Sequence, residues 1–143
     1  MYAVSGRSYR AINSAADAVG GEVVYSTLPA ELFIPTVSER NNAIRDAAWQ
    51  WMSSVPKARG YDSIESCCSY AQSSVVRYKA EALAMIAWRD AVNQRLEQLA
   101  LSPPVGVSTW EQVRPLLPQP EAFAWPAAVS LPLDQIPPIK LGA

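Results

Sequence analysis

Apolar and polar positions alternate through the first 35 residues. Tyr2 and Val4 precede a Ser5-Gly6-Arg7-Ser8 turn, and Tyr9 and Ile12 follow it, which is the pattern of a β-hairpin. Gly20-Gly21 lacks the Lys-Ser or further glycines of a phosphate cradle and reads as a turn. It opens a second apolar run, Val23-Val24-Tyr25, which closes at Pro29. Residues 1–35 are therefore predicted to form a small N-terminal β element.

The period then changes from 2 to 3.6. Thr36-Val37-Ser38-Glu39 has capping-box spacing, in which a hydroxyl and a carboxylate each satisfy an exposed backbone N–H. The helix it starts carries Ile44, Ala48 and Trp51 on one stripe, with Ala47 and Trp49 beside them, and is predicted to stop at Pro56 and Gly60. Asp62-Ser63-Ile64-Glu65 repeats the start signal for a shorter helix with Tyr61, Ile64, Cys68 and Ala71 on one face. From about residue 75 to 100 there is neither Gly nor Pro, and strong helix formers dominate. A helix of that length spans about 39 Å at 1.5 Å per residue. Val76, Ala80, Leu83 and Ala87 lead into Trp88, Val92, Leu96 and Leu99, widened by Met85 and Ile86, with Arg77, Glu81, Arg89, Glu97 and Gln98 on the wet side. So broad an apolar face needs neighbours on more than one side.

Nine of the twelve prolines fall in the last 41 residues, so regular helix cannot continue there. The exception is Ser108-Thr109-Trp110-Glu111, a third capping signal, which predicts a short helix near 109–114 ended by Pro115. From Pro118 to Ala143 the chain reads as an extended, polyproline-like arm bearing Phe123, Trp125, Leu131, Leu133, Ile136, Ile139 and Leu141. Its apolar character is unlike a disordered linker and calls for packing on its own domain or on a partner. The expected fold class is α+β: a β element over 1–35, a helical region over 36–101 dominated by the long helix, and a proline-rich arm over 102–143.

Charge adds exclusions. Twelve basic and thirteen acidic residues give a net charge of −1, with +1 over residues 1–60 and −1 over each of 61–102 and 103–143. No segment has the basic excess a nucleic-acid binder needs, so no nucleic-acid partner is expected. Histidine is absent, which removes the commonest general base, the usual zinc ligand and every Ser-His or Cys-His nucleophile. The vicinal Cys67 and Cys68 would point about 100° apart on a helix and match no redox or zinc spacing. They read as buried thiols in a reducing compartment. Asp62 and Glu65, the best-spaced carboxylate pair, are explained by capping, and Arg89-Asp90 by a surface salt bridge. No catalytic residue, cofactor or metal site is expected. The start of the sequence lacks a secretory signal, so the mature chain is expected to begin near Met1, and Ala122–Leu133, interrupted by prolines, is too short to insert in a membrane.

Five tryptophans and six tyrosines favour burial of apolar bodies with polar tips, as at interfaces. Core packing accounts for Trp49, Trp51 and Trp88. Trp125 stands in Phe123-Ala124-Trp125-Pro126, where no regular element is predicted to enclose it. The candidate partner-binding residues are Trp88, Arg89, Trp110, Phe123 and Trp125.

The succession Arg59-Gly60-Tyr61-Asp62-Ser63-Ile64, Ser69-Tyr70-Ala71, Arg77-Tyr78-Lys79-Ala80-Glu81-Ala82 and Ala87-Trp88-Arg89-Asp90-Ala91-Val92 resembles the tail fibre assembly proteins of bacteriophages and prophages. Trp125-Pro126 is similar to their C-terminal part, and Tyr9-Arg10-Ala11-Ile12 with Gly21-Glu22 to their N-terminal β portion. Asn93 stands where the family often carries another aromatic, and residues from Ala127 onward lie outside the resemblance. The resemblance implies a non-enzymatic fibre chaperone that binds the C-terminal region of a tail fibre, often trimeric, either transiently or remaining attached. It would act in the bacterial host cytoplasm during assembly, or also reside in the virion tail. The alternatives are a permanent structural subunit of tail, baseplate or fibre, a glycan hydrolase working through Asp/Glu pairs, and a DNA-binding regulator, which the even charge disfavours.

Overall fold

A computed structural model describes residues 1–130, so the predicted arm positions Leu131, Leu133, Ile136, Ile139 and Leu141 lie outside the described residues. The fold is α+β, and the chain divides into two compact units, Met1–Glu39 and Arg40–Ala143.

In the first unit, β1 (Tyr2–Ser5) and β2 (Ser8–Ala11) form the predicted hairpin, with Ser5 opposite Ser8 and Val4 opposite Tyr9. The two-residue loop places Gly6 at φ +60 and leaves Arg7 at negative φ, the pattern of a II′ turn whose twist suits the flanking strands. β3 (Val23–Tyr25) pairs antiparallel with the other edge of β1, giving the order β2-β1-β3. Arg10 fixes the return: its guanidinium donates to both oxygens of Glu22, at 3.0 and 2.8 Å, and to the carbonyl of Asp17. Glu22 also accepts from the Val19 N–H, and these bonds, with Arg10 foremost, hold its carboxyl below the usual range.

The second unit is built on helices. α1 (Val37–Ala58) starts from Thr36, whose hydroxyl accepts the Glu39 N–H, while the Glu39 carboxylate pairs with Arg7 rather than closing the predicted box. Pro56 does not end this helix. It lies buried in the last turn, where its missing N–H removes a single bond, and the stop comes at Gly60. Gly60 sits at φ +95, with Tyr61 N–H bonded to the Pro56 carbonyl and Gly60 N–H to that of Lys57, a Schellman motif. α2 (Ile64–Cys68) is capped by Ser63, which accepts from Ser66 N–H, one position later than the predicted Asp62 start.

α3 (Val76–Leu101) is the long helix. Its buried row runs through Glu81, Met85, Trp88, Val92 and Leu99, whereas Val76 is 82% exposed and Leu83 and Ala87 are also exposed. The first half of the predicted stripe is therefore rotated by about one residue. Alanines at 80, 82, 84 and 87 populate neighbouring rows equally, so periodicity alone does not distinguish them. Trp49, expected in the core, is exposed, and Met52 takes the inward position on α1. α4 (Trp110–Val113) is capped by a box between Thr109 and Gln112, again one residue past the predicted Ser108–Glu111 pair, and passes at Pro115 into a 3₁₀ turn.

Met52, Ile64, Cys67, Met85, Trp88, Val92, Leu99, Val113 and Leu117 form one apolar cluster in this unit, with Trp110, Phe123 and Trp125 packed against it. The described part of the arm thus lies on its own unit. Among the described residues no helix is long and apolar enough to cross a membrane.

Candidate functional site

The aromatic residues of the second unit are joined edge to face. Trp125 meets Trp88 at 6.4 Å between ring centroids, Trp88 meets Trp51 at 5.1 Å, and Trp51 meets Trp110 at 5.7 Å. Guanidinium groups cover two of its rings, Arg59 over the terminal Trp125 at 4.9 Å and Arg114 over the internal Trp51 at 5.6 Å. Each such contact adds to area burial through the ring quadrupole.

Arg59 links this chain to a buried charge. Its Nη1 donates to the Pro126 carbonyl at 2.9 Å and to Glu81 Oε2 at 3.3 Å, and Arg77 approaches the other Glu81 oxygen at 3.6 Å. Glu81, expected on the wet face, is only 4% exposed. It shares the helical row of Met85 and Trp88, and two arginines make its burial tolerable. Beside it, the rings of Tyr61, Tyr70 and Tyr78 meet in succession, tilted at 5.6 Å and then edge to face at 5.4 Å. The hydroxyl of Tyr61 and the indole N–H of Trp125 are buried without a hydrogen-bond partner among the described residues.

These surroundings set the chemistry. Burial pushes the Tyr61 hydroxyl up to about 12, reinforced by Glu81, and pushes the Cys67 thiol up to about 12, reinforced by Cys68 and Glu81. Cys68 is also raised, mainly by burial, although Arg89 opposes the shift. All three are protonated at neutral pH and are poor nucleophiles. Among the described residues no group of three His, Cys, Asp or Glu side chains is placed to hold a metal ion.

The predicted partner-binding residues separate into four situations. Trp88 is 0% exposed and has no surface to present; its Nε1 donates to the Pro118 carbonyl at 2.9 Å. Phe123 and Trp125 are partly buried against the core, so the α3 surface encloses Trp125 where no regular element was expected to. Arg89 bonds Asp90 at 2.9 and 3.0 Å and approaches the Cys68 sulfur, the surface salt bridge expected beside a core indole. Trp110 is half-buried, and with Glu111, Arg114, Pro115 and Gln119 it lines an open depression of about 680 Å³.

A second aromatic surface belongs to the first unit. The strand register places Tyr2, Val4, Tyr9, Ala11, Val23 and Tyr25 on one face of the sheet. Tyr9 is 49% and Phe33 59% exposed, and the two rings meet edge to face at 6.0 Å. Val23, Tyr25 and Ile34 are exposed as well. The alternation that predicted the hairpin also carried this face, but the Phe33 contact depends on a 3₁₀ turn, Ala30–Phe33, that periodicity does not reveal. Likewise Arg59 and Glu81 are 22 residues apart, and nothing local marks them as a pair.

No protein-family model matches the chain, and neither a curated protein nor a solved structure is significantly similar to it.

Proposed function

We propose that the chain is a non-enzymatic, tail-fibre-associated protein of a bacteriophage or prophage, an assembly chaperone that covers the C-terminal region of a fibre. The observation that carries this reading is the convergence of the residues bearing the resemblance. Arg59, Arg77, Glu81, Trp88 and Trp125-Pro126 span 68 positions yet form one connected network of ion pairs, hydrogen bonds and ring contacts, which Tyr61 joins through Tyr70 and Tyr78 beneath Arg77. Short motifs that fold onto one another act as a fold signature, and the resemblance rests on such a signature rather than on catalytic groups.

The exposed face around Tyr9 and Phe33 adds a physical rationale. Unassembled fibre subunits present apolar surface and unpaired strand edges that aggregate. A protein that covers them needs exposed aromatic and apolar groups of its own, enriched as they are at interfaces.

Co-expression with the neighbouring fibre gene, followed by size-exclusion chromatography with mass determination, tests the proposal. A defined complex and a higher soluble yield of fibre are the expected result. Absence of a complex, with both proteins soluble, overturns it. Presence in purified particles at a fixed ratio to the fibre would instead mark a permanent structural subunit.

A further inference from the structure

We propose that the seat of Phe123–Pro126 on the helices is an exchangeable peptide site. Residues Pro118–Ser130 detach as a unit while α1–α3 stay folded, and an extended, proline-flanked aromatic segment of a partner chain takes the same place.

The way the arm is held supports this. Apart from local bonds of the Gln119 amide to the Arg114 and Leu117 carbonyls, two side-chain hydrogen bonds among the described residues tie the segment to the helical body, Trp88 Nε1 to the Pro118 carbonyl and Arg59 Nη1 to the Pro126 carbonyl, each 2.9 Å. Both donors belong to the folded helical body, and both acceptors are main-chain oxygens preceding or within proline-rich sequence. Such bonds do not read side-chain identity, so any extended segment that brings carbonyls to the same two points can form them. Selectivity comes from the slot between them, where an indole lies edge to face against Trp88 and under the Arg59 guanidinium. Extended proline-rich chains enter such aromatic slots with little loss of conformational freedom.

The fit of the arm in this seat is also incomplete. The Trp125 indole N–H is buried with no acceptor among the described residues. Water satisfies the indole N–H once the arm lifts, which favours opening. Most of the core beneath comes from the helices: Met52, Ile64, Cys67, Met85, Trp88, Val92 and Leu99 all belong to α1–α3, whereas Phe123 and Trp125 pack on the cluster from outside and are only partly buried. Segments with few independent links to a self-sufficient core are those that open below the global unfolding limit.

The inference is independent of the fibre reading, and no fibre protein enters its test. Native-state hydrogen exchange followed by NMR compares the Trp88 indole N–H, which the Pro118 carbonyl protects, with the backbone N–H groups of Met85 and Val92. The indole is expected to exchange at least tenfold faster after correction for intrinsic rates; equal protection overturns separate opening. A fluorescein-labelled peptide of residues 118–130 is then titrated into the full chain. Trp125→Ala, which empties the slot but leaves Trp88 and Arg59 in place, is expected to bind the peptide at least tenfold more tightly than the parent chain. A peptide lacking the tryptophan should bind neither. Should Trp125→Ala fail to fold, Trp125→Leu, which keeps an apolar side chain but loses the indole from between Trp88 and Arg59, serves as the second variant. A folded variant that takes up no peptide overturns the proposal.

Discussion

Trp88 and Pro118, thirty residues apart, are joined by a hydrogen bond from a fully buried indole to a main-chain carbonyl. The longest helix and the start of the arm are thereby locked in register at the centre of the aromatic chain. Trp88→Phe retains an apolar ring but loses the donor and part of the volume. It is expected to lower stability by about 2 kcal/mol in urea unfolding, combining a lost hydrogen bond with a small cavity. A loss below about 0.5 kcal/mol, the range of ordinary surface substitutions, would remove Trp88 from this role.

The Arg59–Glu81 pair makes a different demand. Removing one partner of a buried pair leaves the other uncompensated, whereas replacing both with apolar groups is often neutral. Glu81→Gln is expected to cost about 2 kcal/mol, at the low end because Arg59 and Arg77 keep partial access to water. The double variant Arg59→Met/Glu81→Met should recover at least half of that loss. A double-mutant cycle in which the two changes simply add would show that the pair is not coupled.

How far the sequence discloses this arrangement depends on the range of the interaction. The hairpin, the long helix and the three helix starts follow from signals a few residues apart, and each start lies within one residue of its predicted place. Pro56 misleads because a proline in the last helical turn loses little, and the chain waits for Gly60 to reverse. Glu81 misleads because its charge assigns it to solvent, while the helical row it occupies assigns it to the core. The arginines that settle the contest in favour of burial are 22 and four residues away. Trp125 is the clearest case: an indole on a proline-rich arm has no local element to enclose it, and its enclosure comes from Trp88 and Arg59, far back in the chain.

Alkaline stability follows from Tyr61 and Cys67. In the unfolded chain these groups release their protons near their ordinary values of 10.0 and 9.0, but in the folded chain burial delays release to about 12. Between those limits the folded state binds more protons than the unfolded one, so stability is complete below pH 9 and declines as pH rises towards 12. Urea midpoints measured from pH 8 to 11 should fall with pH, and a flat profile would contradict the burial of both groups. Tyr61→Phe removes one of the two protons and an unpartnered buried hydroxyl. It should therefore flatten the decline and raise stability near pH 7 by about 1 kcal/mol.

Under the fibre reading, the sheet face of the first unit is a second candidate for partner contact beside Trp125, and the two differ in what a substitution can report. Trp125→Ala is expected to lose about 2 kcal/mol, since it removes a half-buried ring from between Trp88 and Arg59. Any loss of partner association in that variant would be entangled with loss of fold. Tyr9 and Phe33 are free of this ambiguity, being about half exposed and in contact with each other across the sheet face. Replacing both with serine removes aromatic surface of the kind that anchors interfaces, while a pair on the open face contributes about 1 kcal/mol to folding. Under the fibre reading, Tyr9→Ser/Phe33→Ser should weaken co-purification of the fibre at least tenfold, with the helical circular dichroism and its urea midpoint little changed. Undiminished co-purification in a variant that remains folded would exclude this face from the interface and return attention to the depression beside Trp110.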